Sequence, residues 1–232
     1  MKRFYSVVEV EPCDGGYRIT LDHRPIRTQG GSAQVVPNAA LAEALADEWR
    51  AQGEEIDPAT FPYRDMADDA IDHVTADRAG IIHTLLPYAE TDTLCYRADP
   101  DEPLYRRQRE VWEPLLAAFE AREDVRFERA SGVIHRAQPA ETIARLRTRL
   151  EAVDDFTLAA LQPMASLAAS LTIALMALEP DADIAALWQA ASLEELWQVE
   201  LWGRDEAAEQ RRERRGRDFA AAVEFARLVR VD

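Results

Sequence analysis

GGYRITLDHRPIRT, residues Gly15 to Thr28, decides how the first part of the chain folds. Asp14 precedes Gly15-Gly16, and the three read as a turn. Beyond it, Tyr17, Ile19 and Leu21 alternate with Arg18, Thr20 and Asp22, the period of a strand buried on one face. Asp22-His23-Arg24-Pro25 reads as a second turn and Ile26 to Thr28 as a further short strand. Upstream, Phe4 to Val10 is rich in apolar and β-branched residues and supplies the strand before the first turn. Downstream, Gly30-Gly31 turns again, and Ala33 to Val36 completes a β-meander.

The period changes at Pro37-Asn38. Asn38 suits an N-cap, and Leu41, Leu45 and Trp49, at i, i+4 and i+8, share one helix face. Gly53 ends this helix, and Glu54 to Pro62 is a loop with two prolines. The remainder reads as helical: Arg64 to Val74, Ala76 to Leu86, and a restart at Pro87 leading into Tyr88 to Tyr96. A longer helical region carries Leu104, Val111, Trp112, Leu115, Leu116 and Phe119 on one face, with a break or kink expected at Pro114. Val125 to Phe127 and Val133-Ile134 read as short extended pieces, and Pro139 to Val153 as an amphipathic helix. Asp154 caps the apolar segment Phe156 to Leu178, Asp183 to Ala190 is a short helix, and Leu193 to Val229 a single long one. The expected fold class is α+β: a small N-terminal α/β domain over residues 1–60 (β-meander plus helix), then an all-α C-terminal domain over 61–232.

Composition excludes several functions. Forty-three acidic residues against 27 basic ones give a net charge of −16. Such a surface repels phosphate backbones and anionic membranes, so no nucleic-acid partner is expected. It favours solubility and faster encounter with basic or neutral proteins. Cys13 and Cys95 lie far apart and read as reduced thiols of a cytosolic protein. No secretory or transit pattern stands at the N-terminus. The most apolar stretch, Leu158 to Leu178, is interrupted by Gln162, Pro163, Ser166, Ser170 and Thr172. Its part after Pro163 falls short of the ~20 residues that span a bilayer, so no membrane insertion is expected.

Signs of bond chemistry are sparse. His23, His73, His83 and His135 form no HExxH and no i, i+4 pair, so no metal site is expected. There is no GxSxG, P-loop or glycine-rich dinucleotide turn, so neither a cofactor nor a catalytic residue is assigned. Glu90 and Asp92 flank Thr91 and, two apart on a helix, do not share a face. They read as solvated charge or local capping. An enzyme with an acidic site built from this pair and the histidines stays open as a rival. RRERRGR, Arg211 to Arg217, looks like a nucleic-acid patch in isolation. The spacings Glu209–Arg212 and Glu213–Arg217 instead fit a solvated helix, at about 0.2–0.5 kcal/mol per pair.

ASLEELWQVELWGRDEAAE, Ala191 to Glu209, is different in kind. Ser192 and Glu195 have the S-x-x-E spacing of a capping box, and Glu194 falls in the first turn, near the positive end of the helix dipole. Trp197 and Trp202 are large apolar groups in acidic surroundings, either core residues or interface anchors. Further pieces accompany this stretch: KRFY (Lys2 to Tyr5), the Gly15–Thr28 hairpin, LAEALADEWRAQGEEIDP (Leu41 to Pro58), YAETDTLCYRA (Tyr88 to Ala98) and WEPLL (Trp112 to Leu116). In this order, with SLEELWQVELWG (Ser192 to Gly203) at the end, the chain resembles bacterial members of the ATP12 family.

The resemblance implies an assembly chaperone with an N-terminal α/β domain and a C-terminal helical domain. It implies binding of the free α subunit of the F1 ATPase, shielded until β subunits assemble. Family members carry an important acidic residue at the start of the WQxxxWG helix, by position Glu194, with Glu195 adjacent. The expected partner-binding set is Glu194, Glu195, Trp197 and Trp202, with Glu194 pairing a basic group on the α subunit. Trp49 also matches the family, but its helix face points to packing. A monomer in a bacterial cytoplasm is expected, the eukaryotic relatives being mitochondrial. A general holdase or scaffold, not selective for the α subunit, is the second rival.

Overall fold

The computed structural model describes residues 1–132 and 136–231; the expected extended piece at Val133-Ile134, and His135 after it, lie outside the described residues. In chain order the elements are β1 (Val8–Cys13), β2 (Gly16–Leu21), β3 (Arg24–Pro25), α1 (Ala39–Arg50), α2 (Pro62–Asp69), α3 (Arg78–Leu85), α4 (Pro87–Glu90), β4 (Tyr96–Arg97), α5 (Pro103–Glu123), β5 (Ala130–Ser131), α6 (Ala140–Glu151), α7 (Asp155–Ala168), α8 (Leu171–Met176), α9 (Ile184–Ala191), α10 (Leu193–Trp202) and α11 (Glu206–Val229). A small N-terminal region of sheet and helix is thus followed by a larger helical region. Two compact units form. One comprises Met1–Ala79, Asp154–Ala160 and Ala221–Asp232; the other comprises Gly80–Val153 and Leu161–Ala220.

In the first unit β1, β2 and β3 make an antiparallel meander, with Val8 opposite Leu21 and Cys13 opposite Gly16. Its second turn is tighter than the sequence pattern predicts. Asp22 and His23 both adopt positive φ (47° and 66°), so Arg24-Pro25 leaves the turn and pairs with Thr20-Leu21. The Asp22 carboxylate supports this by accepting from the Ser6 and Val7 amides at 3.0 and 2.8 Å. Ile26 to Thr28 forms no ladder; Arg27 makes an isolated bridge with Ala33. Gly16 is obligatory: a Cβ there would lie 2.2 Å from the Val36 carbonyl oxygen, where Tyr17 and Val36 exchange backbone bonds at 2.9 Å.

Asn38 caps α1 as expected, its Oδ1 accepting from the Leu41 amide at 2.9 Å. Its Nδ2 also donates to the carbonyls of Leu228 and Val229 at the end of α11. One side chain therefore serves the bare amides of one helix and the bare carbonyls of another. Leu41 and Leu45 are buried. Trp49 is half-buried and packs against Phe61 and Tyr5, with ring centroids 4.6 and 5.6 Å apart. Glu48, on α1, accepts from the amides of Tyr63 and Arg64 at 2.6 and 2.9 Å, capping α2 just after Pro62, which has no amide proton to offer.

Burial pushes the Glu48 carboxyl from its ordinary 4.5 up to about 7, against the pull of those two amides and of the Arg64 guanidinium. The folded state therefore holds a proton that the unfolded chain releases. The stabilisation is full below pH 4.5 and is lost as pH rises through about 7. Across that window, stability measured by urea midpoints is expected to shift by about 1–3 kcal/mol in favour of Glu48→Gln over the wild type. Parallel pH profiles of the two proteins would contradict this.

In the second unit α5 runs unbroken through Pro114, so of the break or kink expected there it is the break that does not occur. Proline in a helix interior removes one hydrogen bond and crowds the carbonyl four residues back, at about 3 kcal/mol. Here Pro114 and Glu110 both face solvent, so water can satisfy the freed carbonyl, while the opposite face buries Trp112, Leu116 and Phe119. The apolar segment Phe156 to Leu178, which begins in the first unit and continues in the second from Leu161, divides in two. Asp154 caps α7, accepting from the Thr157 amide at 2.8 Å. Ala169 then takes a positive φ of 48°, and Ser170 caps α8 through the Ile173 amide at 3.0 Å. Leu193 to Val229 is likewise two helices, because Gly203 stops α10 with φ of 88° and Asp205 caps α11 through the Ala207 amide at 2.9 Å. No helix among the described residues is long and apolar enough to cross a membrane.

Candidate functional site

The YAETDTLCYRA stretch proves to be scaffolding. Asp92 is 0% exposed, and its carboxylate accepts from the Leu94 amide at 3.1 Å and the Thr172 amide at 2.9 Å. It thereby ties the turn before β4 to the first turn of α8. Burial pushes its carboxyl up to about 6, against these hydrogen bonds. Glu90 is exposed, so the two acids face different surroundings. Arg97, buried, reaches Glu113 of α5 at 2.6 Å, and the other Glu113 oxygen takes Arg129 at 2.8 Å. Burial raises the Glu113 carboxyl, but the two arginine hydrogen bonds outweigh it and hold the group below its ordinary value. This chain of charges fastens β4 and β5, which pair in parallel, onto α5.

Upon this frame sits α10. Ser192, between α9 and α10, is buried and has backbone angles of −95° and 10° with no capping bond from its side chain. The expected capping box is therefore not formed. An N-cap needs extended backbone to swing its oxygen over the N3 amide, and here one helix leads almost directly into the next. Glu195 instead turns to Arg215 of α11, whose Nη2 contacts both carboxylate oxygens at 2.5 and 2.6 Å.

The four residues singled out from the sequence have four different settings. Glu194 is exposed and borders a depression of about 270 Å³ with Thr91, Thr93 and Tyr96. Its Oε1 accepts from Gln108 Nε2 at 2.7 Å. Glu195 is held by Arg215. Trp197 is half-buried and lines a mostly apolar groove of about 1030 Å³ with Val111, Trp188 and Leu196; Arg107, Glu200, Arg212, Glu213 and Arg217 line it too. Gly216 allows this packing, since a Cβ there would meet the Trp188 indole nitrogen at 2.6 Å. Trp202 is 78% exposed and Leu201 56%, at the free end of α10. Trp202 is thus no core residue, and α10 offers a bare apolar tip beside a groove and an acidic pit.

Sequence reading missed Gln108. It is 0% exposed, and its Oε1 accepts from the Ala98 amide at 2.8 Å while its amide nitrogen holds Glu194. A signal was present: Leu104, Gln108, Trp112 and Leu116 recur every four residues, so Gln108 is a polar residue within an apolar stripe.

Two of the described histidines lie on separate elements, each beside a single carboxylate. His23 contacts Glu9 at 3.1 Å and His73 contacts Asp69 at 3.0 Å. Among the described residues no group of three or more His, Cys, Asp or Glu is placed to hold a metal ion.

Comparison with known proteins bears on this geometry. Residues 2–120 match the family model for the ATP12 chaperone protein. The crystal structure of Atp12 from Paracoccus denitrificans aligns with a TM-score of 0.92 at 34% identity, covering 99% of this chain and 98% of that one. An aspartate-to-lysine mutant of the same protein aligns equally well. The Atu1473 protein of Agrobacterium tumefaciens gives a TM-score of 0.93 at 38% identity, over 97% of this chain and 85% of that one. The mitochondrial protein atp12 of Schizosaccharomyces pombe is 26% identical over 214 residues, 87% of this chain and 74% of its own length. The family model ends in α5, whereas the structural likeness runs on through α10. With the sequence motifs, the fold and these matches in agreement, the chain belongs to the ATP12 chaperone family.

Proposed function

We propose that this protein is an assembly chaperone for the F1 sector of ATP synthase, acting on the free α subunit in the bacterial cytoplasm. It covers the apolar surface that β subunits later bury. The observation that carries this reading is the bare tip of α10. Large apolar side chains at 78% and 56% exposure stand next to each other on the helix that also lines a tryptophan-bearing groove, and contiguous exposed apolar surface of this kind marks interaction sites. Aromatic groups of this kind anchor interfaces, and a few of them suffice for binding that must later be released. The net charge of −16 keeps the complex dispersed while the client is still incomplete. The protein works as a monomer on this reading, with Glu194, Trp197 and Trp202 facing the client and Glu195 holding α10 against α11.

Refolding the α subunit from denaturant with and without this protein, followed by light scattering, tests the reading. Equimolar chaperone is expected to suppress most of the scattering, and later addition of β subunits to release the α subunit into assembled F1. Unchanged scattering would overturn the proposal. Equal protection of an unrelated aggregating protein would favour a general holdase instead.

A further inference from the structure

We infer that the depression bounded by Thr91, Thr93, Tyr96 and Glu194 receives one cationic side chain of the client, and that Thr91 and Thr93 are binding residues alongside Glu194; this rests on α10 being the client-binding helix. The inference comes from where the hydroxyl protons go. Thr91 Oγ1 donates to the Pro87 carbonyl at 2.9 Å, Thr93 Oγ1 to the Ala169 carbonyl at 2.9 Å, and the Tyr96 hydroxyl to the Arg136 carbonyl at 3.3 Å. A hydroxyl has a single proton to give. With those protons directed inward, the oxygens of Thr91 and Thr93 offer the depression lone pairs.

Glu194 completes the pattern. Gln108 is pinned through its own oxygen by the Ala98 amide, so its nitrogen has to point at Glu194 Oε1. Glu194 Oε2 has no hydrogen-bond partner among the described residues. The walls therefore accept hydrogen bonds and carry a negative charge. Lysine and arginine donate without accepting and carry the charge that meets Glu194; tryptophan donates a single uncharged N–H, and serine, asparagine and glutamine bring acceptors that this site would leave facing acceptors. A volume of about 270 Å³ lies just below the roughly 300–1,000 Å³ of small-molecule sites and suits one side chain. Glu195 is the weaker candidate for recognition, because the Arg215 guanidinium already balances its charge.

Two measurements test this. The first compares affinity for the free α subunit at about 50 and 500 mM KCl, since salt screens charge pairing. The proteins are wild type, Glu194→Gln, and the Thr91→Val, Thr93→Val double variant. Glutamine keeps an oxygen for Gln108, and the Ala169 carbonyl keeps its bond from the Thr93 amide at 3.1 Å, so the fold is preserved in both variants. Glu194→Gln is expected to bind about 10–100-fold more weakly at low salt and to lose most of the salt dependence. The double variant is expected to bind about 3–10-fold more weakly. Wild-type affinity and salt dependence in Glu194→Gln would overturn the cation site and leave the α-subunit reading intact. The second measurement titrates the wild type with N-acetyl-arginine amide while following the Thr91 and Thr93 amide resonances. Saturating shifts that vanish in Glu194→Gln support the site even if the α subunit fails to bind, and their absence in the wild type counts against it.

Discussion

Replacing Trp112 by alanine is expected to cost about 3–5 kcal/mol of stability, the range for emptying a fully packed aromatic site. Trp112 is 0% exposed and its indole nitrogen donates to the Ala190 carbonyl at 2.8 Å. The ring fills the middle of the buried face of α5, one turn from Gln108 on one side and Leu116 on the other, and the hydrogen bond secures the end of α9 where α10 begins. Domain stabilities of about 5–15 kcal/mol leave little margin for such a loss. Urea unfolding followed by circular dichroism should show a lower midpoint with little change in slope. Trp112→Phe separates the two contributions: it keeps most of the apolar volume and removes the hydrogen bond, so about 1–2 kcal/mol is expected. A Trp112→Ala midpoint within error of the wild type would mean that α5 is not the centre of this unit.

The elements that were legible in the sequence are those whose cause is local. The meander follows from alternation at Tyr17, Ile19 and Leu21 together with its turn residues, and α1 follows from Asn38 and the Leu41, Leu45, Trp49 stripe. Whether Pro114 would break the helix was not readable, because proline's helix cost depends on which face it occupies, and the face is set by packing. The stop at Gly203 was readable in principle: glycine followed two residues later by Asp205 is an end signal joined to a start signal, but the charged run beyond it also fits one continuous helix. The membership of Ala221–Asp232 in the first unit was not readable. Its ties are Asn38 bonding to carbonyls some 190 positions away and Phe225 packing on Tyr63 and Phe156. The site shows the same division. Glu194 could be named from its motif, but the threonines beside it come from a segment about 100 residues upstream, and which of the two glutamates is available depends on Arg215, on another helix.

Glu194→Lys is expected to abolish binding of the α subunit, with a loss of about 2–5 kcal/mol, while the protein stays folded. Three effects act in the same direction. The carboxylate that would meet the client's cation is gone. An ammonium in its place repels that cation across a small depression. The new side chain is also a pure donor on a flexible stem, so it can reach the lone pairs of Thr91 and Thr93 and occupy the site from within. The cost to folding is smaller. Gln108 Nε2 loses its acceptor, worth about 1–3 kcal/mol if nothing replaces it, and a positive charge in the first turn of α10 opposes the helix dipole by about 0.3–1 kcal/mol. Glu195→Lys provides the contrast, because it breaks the contact with Arg215 at the other side of α10 and leaves the depression unaltered. Co-purification with the tagged α subunit, together with a thermal melt of each variant, decides the matter. Glu194→Lys should melt cooperatively and return no α subunit, and Glu195→Lys should still return it. Recovery of the α subunit with Glu194→Lys would remove this residue from the mechanism and leave the exposed Leu201 and Trp202 as the contacts to examine.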